Sequence, residues 1–140
     1  MNGPSEHLKW SEIACHDGTN YPECWRISRA IPLGAAFEWI RERCGFPLYV
    51  SSGYRTESYN RKINDGQGGA KNSQHVQGRA LDLHPLKGSF ERLKAVAREA
   101  QSQGIITGLG YYFDFVHIDI RPGNKATWYG SRGVTENIAP

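Results

Sequence analysis

The sequence predicts an α+β fold, a small and mostly antiparallel sheet with helices packed on one face. Three observations lead there. Segments with helical spacing are interspersed with segments of two-residue alternation, without the regular strand–helix–strand recurrence of a parallel sheet. The stretch GLGYYFDFVHIDIRPG is long enough for a strand pair or one long strand. Finally, 140 residues is the length of a single domain. At that size roughly 68–70% of the unfolded surface is buried, so a core forms without staples.

Residues 1–30 read as an irregular lead containing one short amphipathic piece, HLKWSEIAC. From Ile31 to Cys44 the spacing is helical, with Leu33, Phe37, Ile40 and Cys44 on one face. Gly45 and Pro47 stop that helix. PLYVSSGYR follows as a strand that turns at Ser52-Gly53, and RTESYNRKIND as a polar helix running into the glycine-rich loop DGQGGAKNSQ. In RALDLH, Leu81 and Leu83 face one way while Ala80, Asp82 and His84 face the other. SFERLKAVAREAQSQG is the clearest helix, with Phe90, Leu93, Val96 and Ala97 in a stripe and Gly104 as its stop. In FVHIDI, Phe115, His117 and Asp119 share one face, and Val116, Ile118 and Ile120 the other. The single domain 1–140 then has a core from about 8 to 128, and 129–140 is a C-terminal tail.

Composition narrows the partners. A net charge of +3 suits an anionic polymer such as a bacterial cell wall, but no basic block marks a nucleic-acid surface. No apolar run approaches the roughly 18 residues a membrane span needs, and MNGPSEHLKWSE lacks the apolar centre of a secretory signal. The expectation is therefore a monomer made in the cytoplasm, with no nucleic acid and no membrane as partners. Cys15 and Cys24 flank HDGTNYPE and either pair or are separate thiols; their spacing is not that of a structural zinc knuckle. Gly68-Gly69 lacks the GK[ST] of a phosphate cradle.

Of five histidines, three fall in the two alternating strands or just before them. Each strand has an aliphatic back and a front of histidine and carboxylate, which is what a cleft built on a sheet surface requires. Zinc takes imidazole and carboxylate ligands, and a catalytic site uses three protein ligands. His75, Asp82 and His117 make such a set. Asp114 and Asp119 are both candidates for the proton-accepting carboxylate, and Arg55 for the cation that stabilises an oxyanion. Asp119 with Arg121 also reads as a surface pair, and His84 as a strand-end residue rather than a fourth ligand. His7 and His16 read as surface or packing residues. Trp128 and Tyr129 are either a core plug or a wall of the substrate groove.

SGYR, then GGAKNSQHVQGRALDL, then GLGYYFDFVHIDIR, resembles the zinc D-alanyl-D-alanine carboxypeptidase and endopeptidase family, peptidase family M15. Ser73, His75, Gly78, Ala80 and Asp82 match its S-x-H-x-x-G-x-A-x-D pattern, and WSEIACHDGT looks like the version found in phage and prophage cell-wall enzymes. The resemblance implies a hedgehog/DD-peptidase-like fold with a zinc cleft on the sheet face away from the helices. It implies one Zn2+ per chain on His75, Asp82 and His117, with Arg55 steadying the scissile carbonyl oxygen. Asp114 takes the family's general-base position three residues before the last ligand, with Asp119 as the alternative base or as a group orienting a ligand. Ser73 and Gln74 are candidates for substrate binding or ligand support. By strand alternation Asp114 faces away from His117, so a bulge or a strand start is required there. The loop NDGQGGAKN is longer than usual.

The activity implied is hydrolysis of a D-amino-acid-containing bond in peptidoglycan stem peptides, by a carboxypeptidase or an endopeptidase that reaches the wall after lysis, through a holin or in a virion. The alternative is a non-catalytic zinc-containing binding or virion module of the same fold, since the hedgehog signalling domain shares the fold without clear peptidase action.

Overall fold

The computed structural model describes residues 2–63, 69 and 72–130. Most of the glycine-rich loop, including Gly68, and everything from 131 onward lie outside the described residues. The expectations placed on that loop and on the tail lie there too.

The main elements are helix α1 (Trp10–Ile13), α2 (Ile31–Cys44), β1 (Leu48–Ser52), α3 (Glu57–Lys62), β2 (Ala80–Pro85), α4 (Phe90–Ser102), β3 (Gly108–Tyr111), β4 (Val116–Asp119) and β5 (Ala126–Tyr129). The strands form one sheet in the order β1-β2-β4-β3-β5. Its first three pairings are antiparallel and the last, β3 with β5, is parallel. The fold is α+β as predicted, with a mixed sheet.

The predicted apolar faces are the buried ones. Leu33, Phe37, Ile40 and Cys44 of α2 pack in one core with Leu93, Val96 and Ala97 of α4. Leu81 and Leu83 of β2 and Val116 and Ile118 of β4 supply the sheet side of that core. Burial also raises the Cys44 thiol to about 11. Ser89 caps α4, its hydroxyl accepting from the Arg92 N–H at 3.1 Å. The Arg92 side chain then donates to the carbonyls of Cys44 and Arg43, which satisfies the open end of α2 and fixes one helix against the other. Gly45 ends α2 in the left-handed conformation that glycine adopts without steric cost.

Two expectations are corrected. The N-terminal lead is not irregular: after α1, a 3₁₀ turn (Glu23–Trp25) and a π turn (Arg26–Ala30) run directly into α2. These turns are held by cation–π packing, one contact local and one reaching back to α1, which leaves no hydrophobic period. Arg26 lies over the Trp10 ring and Arg29 over the Trp25 ring, at 4.2 and 4.0 Å. Tyr129, expected at the start of a tail, belongs instead to β5. That strand is tied to β3 and to the Gln101 amide of α4, which donates to the carbonyls of Thr107 and Ala126. Cys15, Cys24 and Cys44 are free thiols. Among the described residues no helix is long and apolar enough to cross a membrane.

Phe37 is 1% exposed at the centre of this core, whereas Ile27 is 86% exposed. Phe37→Ala is expected to lower unfolding stability by about 3–5 kcal/mol, and Ile27→Ser to change it by no more than about 0.5 kcal/mol. Urea midpoints at constant m-value measure both.

Candidate metal and catalytic site

His75 sits in a turn that the sequence specifies closely. The Ser73 hydroxyl accepts from the His75 N–H at 3.2 Å. Gly78 has φ +69°, which only glycine takes easily, and turns the chain into β2. Its carbonyl accepts from the buried Tyr21 hydroxyl at 2.7 Å. The segment after β1 holds the other side. The Gly53 carbonyl accepts from His75 Nδ1–H at 2.7 Å, and the Arg55 N–H donates to the His75 carbonyl at 3.1 Å. A carbonyl can only accept, so this bond fixes the His75 tautomer and leaves Nε2 facing inward.

Sheet register brings in the remaining groups. Asp82 in β2 is paired with His117 in β4, and Ala80 with Asp119, so these side chains share the face away from the core. His117 Nε2–H donates to Asp119 Oδ2 at 2.7 Å, which leaves Nδ1 to face Asp82 Oδ1 at 3.4 Å. His75 Nε2 is 3.2 Å from the same oxygen. His75, Asp82 and His117 are all buried, and among the described residues their ligand atoms lie within 4.8 Å of one another. Arg55 Nη2 stands 3.5 Å from Asp82 Oδ2.

These residues fit a metal. With both outer nitrogens committed, two imidazole lone pairs and a carboxylate oxygen point at one spot, and among the described residues His117 Nδ1 is buried without a hydrogen-bond partner. A proton or a metal ion can sit between these atoms. Electrostatics agree: burial opposes charge on His117, yet the Asp119 and Asp82 carboxylates outweigh it and push the imidazole up to about 10. Burial likewise opposes ionisation of Asp82, but His75 and His117 hold its carboxyl well below the usual carboxylate range.

An outer layer fixes His117. Asp119, expected to pair with Arg121 at the surface, to be the alternative base or to orient a ligand, is fully buried. It accepts from Arg121 at three positions, the backbone N–H and two guanidinium N–H groups, as well as from His117. The Trp128 indole packs on the His117 ring with centroids 5.0 Å apart, and its N–H donates to the Tyr112 hydroxyl. Of the two roles open to Trp128 the core plug is the one observed, while Tyr129 is exposed. Room for this layer comes from β3, where Gly108 and Gly110 face Asp119 and His117 across the register. A Cβ at Gly108 would overlap the Asp119 carboxylate, and one at Gly110 the Trp128 indole.

Beside the buried cluster lies an open cleft of about 330 Å³, lined among others by Arg55, Asp82, Asp114, His84, His16 and Ser51. Asp114 reaches it because it lies in the bend before β4, outside the strand, so the strand start called for above is present and alternation does not bind it. Arg55 is 5% exposed and donates to the Ser52 hydroxyl and the Asn60 side-chain oxygen. A bulge in β1 sets two residues, Ser51 and Ser52, against Asp82. His84 Nε2 bonds to the Ser51 hydroxyl, and His16 Nε2–H donates to the Ser51 carbonyl. His16 and Ser51 had no expected place at the cleft. Only a bulge and a fold-back from the N-terminal lead bring them there, and neither leaves a local pattern. Ser73 is buried, supporting the His75 turn, and the Gln74 side-chain oxygen is buried without a partner among the described residues.

Overpacking costs typically about 1–3 kcal/mol, so Gly108→Ala and Gly110→Ala are each expected to lower stability by about that amount in urea unfolding.

Known proteins resemble this chain over much of its length. A protein of Haemophilus influenzae, named a probable peptidoglycan L,D-endopeptidase (MepK), is 33% identical over 86 residues, covering 59% of this chain and 43% of that protein. The chain thus spans less than half the length of that relative. The sequence model of the family described as Peptidase M15 matches residues 6–119, which include all three clustered residues, Arg55 and Asp114. The chain belongs to the peptidase M15 family.

Proposed function

We propose that the protein is a zinc-dependent peptidase acting on peptidoglycan stem peptides at a bond next to a D-amino acid. The observation that carries this reading is the convergence of His75 Nε2, Asp82 Oδ1 and His117 Nδ1 beside a cleft that also holds Arg55 and Asp114. Two nitrogens and one carboxylate oxygen are a zinc donor set that leaves a position open. When bound there, zinc polarises a carbonyl and lowers the pKa of water.

The chain's own residues do the rest. Gly53 and Asp119 hold the two imidazoles in the tautomers that ligation requires. Arg55, fixed by Ser52 and Asn60, presents its guanidinium to the scissile carbonyl oxygen as negative charge develops. Asp114 takes a proton from the attacking water as the new C–O bond forms. It returns that proton to the amine nitrogen as the C–N bond breaks. Asp119 is not the base in this reading, because its oxygens are enclosed by His117 and Arg121. Between removal of a terminal D-Ala and cleavage inside the stem, the name of the Haemophilus relative supports an L,D-endopeptidase.

The test pairs zinc content with digestion of purified peptidoglycan, the fragments identified by mass spectrometry. The native chain is expected to hold one zinc and release stem-peptide fragments. His117→Ala should lose the metal. Asp114→Asn should keep it and lose at least about a hundredfold in rate, the usual scale for a missing general base. Bound zinc with no cleavage of any wall preparation points instead to a non-catalytic module, and full activity in Asp114→Asn removes that residue from the mechanism.

A further inference from the structure

A second groove lies on the other side of the bend that carries Asp114. It has a volume of about 490 Å³, within the usual range of small-molecule sites, and Tyr111, Phe113 and Tyr129 line it with Glu91, Lys94 and Arg98 of α4. Tyr111 and Tyr129 are register partners on parallel strands, placed on the α4 side of the sheet because their neighbours Gly110 and Trp128 occupy the other. Their rings stack with centroids 5.1 Å apart and planes 18° from parallel. Tyr111 packs against the core and so orients Tyr129, which is 74% exposed, while Phe113 is 59% exposed.

Two large exposed rings side by side, Tyr129 on β5 and Phe113 on the bend, are costly to leave in water and mark a binding surface. Three features of this one select the ligand. A flat ring face turned outward suits the apolar face of a pyranose. The rim supplies N–H donors from Lys94 and Arg98 and an acceptor from Glu91, which matches a ring of hydroxyl and acetamido groups. Lys94 is already paired with Glu91 at 2.8 Å, so the rim is partly self-neutralised and ill suited to a polyanion. The position adds a fourth feature. Phe113 lines this groove and Asp114 the catalytic cleft, and adjacent Cα atoms are about 3.8 Å apart. A polymer passing round that bend touches both.

We propose that the groove formed by Tyr111, Phe113 and Tyr129 binds the glycan strand of peptidoglycan by ring stacking, holding the polymer while its peptide branch enters the cleft. The identity of the sugar rests on the peptidoglycan reading above; the groove does not.

The probe is an N-acetylglucosamine tetramer, titrated into the full chain by calorimetry. Binding is expected, and Tyr129→Ala should weaken it about fivefold, the size of one ring contact, while Tyr129→Phe keeps most of it. Hydrolysis of intact sacculi should fall by a similar factor in Tyr129→Ala, with hydrolysis of a soluble, sugar-free stem peptide unchanged. Tetramer binding that Tyr129→Ala leaves intact, or no tetramer binding at all, overturns the proposal. So does sacculus binding that salt abolishes while the tetramer fails to bind, since that assigns the surface to charge. If neither substrate is hydrolysed the peptidase reading falls, and the tetramer titration still decides the groove.

Discussion

Asp82 is a carboxylate with 3% exposure, and a buried carboxylate is tolerable only while every partner stays in place. Its partners come from three separate parts of the chain: His75 from the turn before β2, His117 from β4, and Arg55 from the segment after β1. Pairing β1 with β2 sets Ser52 opposite Asp82, and pairing β2 with β4 sets His117 opposite it. Formation of half the sheet and assembly of the cluster are therefore one event. A slip of one residue in β2 would turn Leu81 and Leu83 toward the cluster and Asp82 into the aliphatic core. Each alternative register thus carries both a lost hydrophobic contact and an unpaired buried charge.

The same constraint explains why the N-terminal thirty residues are structured. A polar sheet face that must stay dry needs a cover, and the long helices α2 and α4 are on the other side. α1 supplies part of it. The Ile13 carbonyl accepts from the Tyr54 N–H, and Gly53 lies against the Ile13 backbone so closely that a Cβ there would meet it at 2.7 Å. Tyr21 reaches Gly78, and burial raises its hydroxyl far above the ordinary range, so that it remains a neutral donor. On the opposite flank Trp128 closes over His117. The lead and β5, distant in sequence, are the two walls of one enclosure.

What the sequence made legible follows from the range of the forces involved. Alternation in RALDLH and FVHIDI reports a local period, so the two faces of β2 and β4 were readable, and with them Asp82, His117 and the aliphatic back. The helical stripes of α2 and α4 were readable for the same reason. Gly78 turns the chain, but its carbonyl also serves Tyr21 and that of Gly53 serves His75, which no spacing announces. Gly108 and Gly110 read as part of a strand; their reason lies across the sheet in Asp119 and Trp128. β5 was missed because four residues after Pro122-Gly123 carry little pattern, and what holds them is Gln101 from α4. His16 and Ser51 were missed because a bulge and a fold-back bring them to the cleft. In each case the unread interaction is long-range and the residue itself is unexceptional.

The proposed chemistry divides the site along a mechanical line that the fold supplies. Groups that must not move are buried and tied twice: His75 by Gly53 and Ser73, His117 by Asp119 and Trp128, Arg55 by Ser52 and Asn60. Preorganisation of this kind removes the cost of arranging ligands at the moment of reaction. Asp114 is treated differently. It is exposed, on a short bend between β3 and β4, where strand alternation no longer dictates which way a side chain faces. A proton carrier has to meet water, then a leaving amine, and then solvent again, and a fully buried, doubly tied carboxylate such as Asp119 cannot do that. The two aspartates that the sequence left as rivals are thereby separated by burial, one suited to hold a histidine and the other to carry a proton.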